Sequence, residues 1–261
     1  MSEALIYAAD GGVATISFNR PPVMNALDAE MIQALRAACE RARDDAAVRA
    51  IVLRGYGPAF VAGGDIAMFH ANRENLSSMA TELSAELHHA ILALRAAPKP
   101  VIAAVHGAVA GAGVSLLAAA DLAIAADDTK FTLAYSRIGA SPDGGATWFL
   151  PRLVGARRAL ELMLLADAFD AQTALRFGLI NRVVGSAELA AETARLAARL
   201  ASGPTLAYAA TKALVNQSFE TSLAEQLDAE AAAFVQGTRT ADFGAGVAAF
   251  VNKLKPEFNG S

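Results

Sequence analysis

The sequence predicts an α/β fold, with a largely parallel sheet in the first half and a helical C-terminal part. Three observations lead there. Up to about residue 140, short apolar strand candidates alternate with helical stretches, as crossover units require. From Pro142 onward nearly everything reads as Ala-rich helix, broken at Gly155, Gly178, Gly185, Gly203-Pro204 and Gly237. Hydrophobic residues make up 54% of the 261 and charged residues only 18%, so a substantial core can form.

The elements follow in order. Val13-Ala-Thr-Ile-Ser-Phe18 alternates with period two and enters the loop Asn19-Arg20-Pro21-Pro22, which marks a strand. Residues 27–43 carry apolar side chains at helical spacing, with Asp28 near the start. Ala50-Ile-Val-Leu53 is a short buried strand running into a Gly55/Gly57/Pro58 turn. Ala62-Gly63-Gly64-Asp65 is a second turn, and a long helical region follows to about Arg95 until Pro98-Lys99-Pro100 stops it. Residues 101–105 form a strand, 111–120 a buried helix, 122–125 a strand, and 131–134 one more short strand. No internal repeat is visible.

Composition excludes several function classes. Lys and Arg total 22 against 26 Asp and Glu, a net charge of -4 with no basic run, so nucleic acid is not an expected partner. The single cysteine, Cys39, rules out an intrachain disulfide framework and a multi-Cys metal site. The N-terminus shows no charged segment followed by an apolar run, so no signal peptide is expected. Residues 102–120 are long enough for a membrane span. They are mostly Ala and Gly, however, include His106 and Ser115, and are broken by Gly107, Gly111 and Gly113. A strand, a turn and a buried helix account for them, and the expectation is a soluble cytoplasmic protein.

Familiar cofactor and nucleophile motifs fail. Gly111-Ala-Gly113 begins like a dinucleotide loop, but the third glycine position holds Leu116. Gly113-Val-Ser115 begins like a nucleophile elbow, but the closing position holds Leu117. Adjacent His88 and His89 on a helix diverge by about 100°, which is poor spacing for metal ligands. His106 reads as a hydrogen-bonded core histidine.

Two glycine-rich turns remain, Ala62-Gly63-Gly64 and the stretch 107–113, each opening a helix. Turn geometry and close helix packing suffice to explain them. Alternatively, two backbone N–H groups aimed at one point hold an oxyanion. Ser141-Pro142-Asp143-Gly144-Gly145 is a turn in which Asp143 caps the next helix, or supplies a carboxylate that moves protons.

Taken together, Asn19-Arg-Pro21 with Asn25-Ala-Leu27, Phe60-Val-Ala-Gly-Gly-Asp-Ile66, Ala104-Val-His-Gly107 through Gly113, Ala120-Asp121, Pro142-Asp-Gly-Gly145, Leu150-Pro-Arg-Leu-Val-Gly155 and Gly178-Leu-Ile-Asn-Arg-Val183 resemble the crotonase (enoyl-CoA hydratase/isomerase) superfamily. The run 131–145 looks like its phenylacetate-pathway branch, which includes the isomerase that turns ring-epoxidised phenylacetyl-CoA into an oxepin. The resemblance implies a spiral of ββα repeats over residues 1–200 with an acyl-CoA site. It implies a helical region, 201–261, that assembles homotrimers or dimers of trimers.

By the same resemblance, the backbone N–H groups of Gly64 and Ala112 form the oxyanion hole. Ala62, Asp65 and Ile66 lie along coenzyme A, Val23 and Met24 contact it, and Lys253 approaches its phosphates. Coenzyme A enters as the substrate thioester; no cofactor, metal or membrane is implied. Hydratases of the family carry two glutamates, and at the aligned positions this chain has Ser115 and Tyr135. Hydration is therefore disfavoured, and Asp143, aligned with the working carboxylate of some family isomerases, is the catalytic candidate. The expected activity is a double-bond shift or a ring-epoxide rearrangement through a thioester enolate. Other chemistry of the family stays open: hydration, thioester hydrolysis, dehalogenation, carbon–carbon cleavage, or acyl-CoA binding without catalysis.

Overall fold

The structure, a computed structural model, describes residues 4–261. The chain opens with an antiparallel hairpin, β1 (Leu5–Asp10) and β2 (Val13–Phe18). Gly11 and Gly12 turn it, both at positive φ, where a two-residue hairpin loop needs glycine. Next comes α1 (Ala29–Asp44), whose N-cap Asp28 accepts the Met31 N–H at 2.9 Å.

Three ββα units follow. The first is β3 (Ala50–Gly55), β4 (Ala59–Val61), α2 (Ile66–Ala71) and α3 (Leu76–Ala96). The second is β5 (Val101–Val105), β6 (Ala108–Ala110) and α4 (Ala112–Ala119). The third is β7 (Leu122–Ala126), β8 (Lys130–Thr132), a 3-10 turn (Ala134–Ile138) and α5 (Ala146–Val154). Beyond lie α6 (Ala156–Leu165), β9 (Phe169–Asp170), α7 (Ala171–Phe177), β10 (Arg182–Val184), α8 (Leu189–Ala201), α9 (Thr205–Gln217), α10 (Leu223–Gly237) and α11 (Ala241–Val251).

Within each unit the two strands part company. The first joins a six-stranded sheet of order β1-β2-β3-β5-β7-β10; the second joins a four-stranded sheet, β4-β6-β8-β9. Pairing is parallel except at β1/β2 and β8/β9. The repeat is therefore structural, although none is visible in the sequence. Strands β4 and β6 were not anticipated, because three residues between turn glycines are too few to show a period. For the same reason β9 and β10 interrupt a half that reads as all helix. The long helical region after Asp65 is divided into α2 and α3, and the strand expected over 131–134 ends at Thr132.

Small residues let these layers close. All five residues of β5 and all eight of α4 are buried, and a helix apolar all round belongs in a core. Phe18 packs edge-on against Phe60, with centroids 5.4 Å apart, and both are fully buried. Helix α9 is tied to this core by Lys212, whose Nζ donates to the Leu94 carbonyl and pairs with Asp121, both at 2.8 Å. Arg49 likewise reaches Thr205 and the Gly203 carbonyl.

The C-terminal helices leave aromatic side chains uncovered in the single chain. Phe234 and Phe250 are 66% and 86% exposed, on an apolar groove of about 1240 Å³ among α9, α10 and α11. Among the described residues, no helix is long and apolar enough to cross a membrane.

Candidate active site

Two backbone turns form one wall of the site. The loop before the first is clamped by Asn25, fully buried, whose amide donates to the carbonyls of Tyr56, Ala59 and Phe60. Its Oδ1 accepts the Arg20 N–H at 2.7 Å. Leu27 then bridges the turn 62–65: its N–H donates to Gly63 at 2.8 Å, and its carbonyl accepts the Asp65 N–H at 3.0 Å. In such a parallel bridge the central residue, Gly64, keeps its own N–H out of the ladder. At the second turn Gly111 adopts φ +50 and donates its N–H to Thr132. Ala112 is the first residue of α4, where no carbonyl one turn back can accept its N–H.

The two turns touch. A Cβ built on Gly63 would lie 3.3 Å from the Ala110 oxygen and 3.7 Å from the Gly111 Cα. The Phe69 ring comes within 3.1 Å of where a Cβ on Gly64 would stand, so a side chain there would press on that ring.

The loop 142–145 packs against α3 and α4. Gly144 and Gly145 both have positive φ, and a Cβ on Gly144 would come within 3.0 Å of the Ser115 Cβ and 3.4 Å of Leu87. Asp143 is half-buried there. Its side chain does not cap α5: the N-cap is Gly145 with no side-chain bond, and only the Asp143 backbone carbonyl reaches the Ala146 N–H. Instead, Asp143 Oδ1 accepts the Tyr135 hydroxyl at 2.6 Å, and the Asp143 carbonyl accepts the Ser115 hydroxyl at 2.9 Å. Burial, and next the Asp143 charge, push the Tyr135 phenol well above its ordinary value of 10.0. Tyr135 is thus a committed hydroxyl donor. Its ring also stands 3.8 Å from the Cβ position of Gly111, so one side chain spans from the carboxylate to the second turn.

The coenzyme A candidates divide. The Met24 carbonyl accepts the Ala62 N–H at 3.1 Å, which sets the 21–24 loop beside the first turn. Val23, Met24 and Ile66 are exposed apolar side chains there. Asp65 is committed to the fold: it caps α2 through the Met68 N–H at 3.1 Å and takes Arg20 at 3.2 Å. Arg20 also pairs with Asp28 at 3.0 Å and donates to the Ala26 carbonyl. Lys253 lies beyond α11, exposed, and shares no hydrogen bond or ion pair with the other candidates in this chain. His106 is half-buried, its Nε2–H donating to the Gly57 carbonyl at 2.8 Å, a structural bond. Among the described residues no group of three His, Cys, Asp or Glu side chains could hold a metal.

Comparison with known proteins decides the lineage. The family model described as enoyl-CoA hydratase/isomerase matches residues 8–261. The chain belongs to that family. A relative named 1,2-epoxyphenylacetyl-CoA isomerase, from Escherichia coli K12, is 36% identical over 266 residues, covering 100% of both chains. A relative named probable enoyl-CoA hydratase, from Rhodobacter capsulatus, is 42% identical over 254 residues, covering 97% of each. Among solved structures, an enoyl-CoA hydratase from Polaromonas sp. JS666 superposes with a TM-score of 0.93 at 34% identity, over 98% of this chain and 99% of that one. The fold is the crotonase spiral of ββα repeats with a C-terminal helical region, and the chain is an enzyme of an acyl-CoA-binding family.

Sequence reasoning missed Arg20 and Asn25 as organisers of the first turn, although both stand inside the Asn19–Leu27 motif. It registered Tyr135 and Ser115 only as absent glutamates. The structure brings both onto Asp143.

Proposed function

We propose that this enzyme isomerises acyl-CoA thioesters by moving one proton on Asp143. In the double-bond shift, the Asp143 carboxylate takes a proton from the α-carbon of a 3-enoyl-CoA. The electrons delocalise into a dienolate whose oxygen accepts the Gly64 and Ala112 N–H groups. Asp143-H then returns the proton to C4, leaving the double bond at C2–C3 in conjugation. Nothing is gained or lost, so one carboxylate suffices. A ring-epoxide rearrangement through the same stabilised enolate is the other member of this reaction class.

One observation carries the reading. Of the groups in the third loop and its neighbours, Asp143 is the carboxylate, and the two positions aligned with hydratase glutamates hold hydroxyls bonded to that residue, Tyr135 at its carboxylate and Ser115 at its backbone carbonyl. Adding water needs a base for the water and an acid for the α-carbon. A single carboxylate bonded to Tyr135 suits a proton that leaves and comes back.

The same reading extends to assembly and location. The apolar groove of α9–α11 would be covered in a homotrimer or dimer of trimers, which also fits Lys253 to a site outside its own chain. The cytoplasm is the compartment proposed.

The test supplies a 3-enoyl-CoA and, separately, a 2-enoyl-CoA, and follows the conjugated thioester absorbance alongside Asp143→Asn. Conjugation arising from the 3-enoyl substrate and lost in the variant, with little hydration of the 2-enoyl one, is expected. Full activity in an Asp143→Asn protein would refute the assignment.

A further inference from the structure

Tyr135 makes two contacts that no other side chain of the site combines. Its ring rests on the Gly111 turn, 3.8 Å from the Cβ position, and its hydroxyl donates to Asp143 Oδ1 at 2.6 Å. Ser115, fully buried at the first turn of α4, holds the backbone of the same aspartate through its carbonyl at 2.9 Å. Asp143 is therefore held at two points, its carboxylate by Tyr135, whose ring rests on the Gly111 turn, and its backbone by Ser115 of α4. Among the described residues, Asp143 Oδ2 accepts no hydrogen bond.

We propose that Tyr135 is a positioning residue that sets Asp143 against the oxyanion turn and leaves Oδ2 as the single oxygen that carries the migrating proton. This inference rests on the isomerase reading above. Its chemical consequence concerns the fate of the proton. A carboxyl group with both oxygens open can give its proton to water through one while the other faces substrate. With Oδ1 filled by the phenol, the proton taken on Oδ2 has one exit, back to the acyl chain. The transfer is then internal and confined to one face of the dienolate. The phenol is suited to this because burial and the Asp143 charge keep it protonated.

Tyr135→Phe removes one oxygen and keeps the ring against Gly111. The isomerisation is run on the full-length enzyme in D2O, with kcat, KM and deuterium content of the product as readouts. For the wild type, most product forms without solvent deuterium. In Tyr135→Phe, kcat falls about 10- to 100-fold, the range expected for a lost hydrogen bond to a charged group. KM stays within about twofold, since no contact to coenzyme A is removed. Solvent deuterium in the product rises, which a merely structural role would not produce.

Unchanged kcat and unchanged deuterium content in a folded Tyr135→Phe protein would overturn the proposal. Complete solvent exchange by the wild type would overturn it without any variant. The companion Asp143→Asn enzyme separates the two levels. If that variant is dead while Tyr135→Phe behaves as wild type, positioning alone fails; if it keeps full activity, the isomerase reading fails with it.

Discussion

Gly113 lies so close to Val61 that a methyl group on it would overlap the Val61 carbonyl oxygen. Val61 ends β4 one residue before the first turn, and Gly113 follows Ala112 at the start of α4. This contact sets the start of α4 against the end of β4, next to the first turn.

Gly113→Ala should therefore act against helix propensity. Alanine favours a helix interior over glycine by about 1 kcal/mol. Here the added methyl meets backbone that cannot swing aside, and overpacking costs about 1–3 kcal/mol. Net loss of stability is expected, with a fall in kcat, because α4 must move and carries Ala112 with it. Gly244, in α11 with nothing near its Cβ position, is the control, and Gly244→Ala should be neutral or stabilising. Urea melts and turnover of both variants decide; a Gly113→Ala enzyme as stable and as fast as wild type would count against the packing argument.

Arg20 gathers Asp28, Asp65 and the Ala26 carbonyl at one guanidinium, joining the loop of Val23 and Met24 to the N-terminus of α2. A lysine keeps the charge but not the planar fork that serves three acceptors. Arg20→Lys should loosen the loop without touching the Asp143 loop. KM for acyl-CoA is expected to rise about 10-fold, within the range of a lost charge-assisted hydrogen bond, and kcat to change little. Steady-state kinetics check this, and the opposite split, lost kcat at unchanged KM, would place Arg20 in the chemistry instead.

What was legible in the sequence follows the range of the interactions. Asp28 as the start of α1, the buried strands β3, β5 and β7, and the all-buried α4 each rest on a local signal: a cap, an apolar run, a glycine turn. Strands β4 and β6 owe their existence to pairing partners far along the chain and leave no period of their own. The resemblance pointed to Gly64, Ala112 and Asp143, and the structure brings the two turns together. The bond from Tyr135 to Asp143 was invisible because it depends on how a 3-10 turn folds one residue back over eight positions. For Phe234 and Phe250 the sequence decides nothing, because an apolar residue on a helix reads alike whether it faces a core or an open groove.

Cys39 gives stability an alkaline limit. It is fully buried in α1, and burial, with a smaller effect from Glu40, raises its thiol well above the ordinary 9.0. Below about pH 9 the thiol is protonated in both the folded and unfolded chain, and its contribution is fully present. As pH rises past 9.0, the unfolded chain releases this proton while the folded one keeps it, so the unfolded state is favoured progressively. The buried Lys212 acts in the opposite direction, because desolvation lowers its ammonium below 10.5 and the unfolded chain then binds more protons. Comparing wild type with Cys39→Ala cancels the lysine contribution. The stability difference between them should shrink by about 1–2 kcal/mol between pH 8 and pH 10.5. Denaturant melts at the two pH values measure it. Alkylation of native Cys39 should stay negligible over the same interval, since the thiolate is the reactive form. A constant difference in stability, together with rapid alkylation at pH 10, would show that the thiol ionises inside the fold.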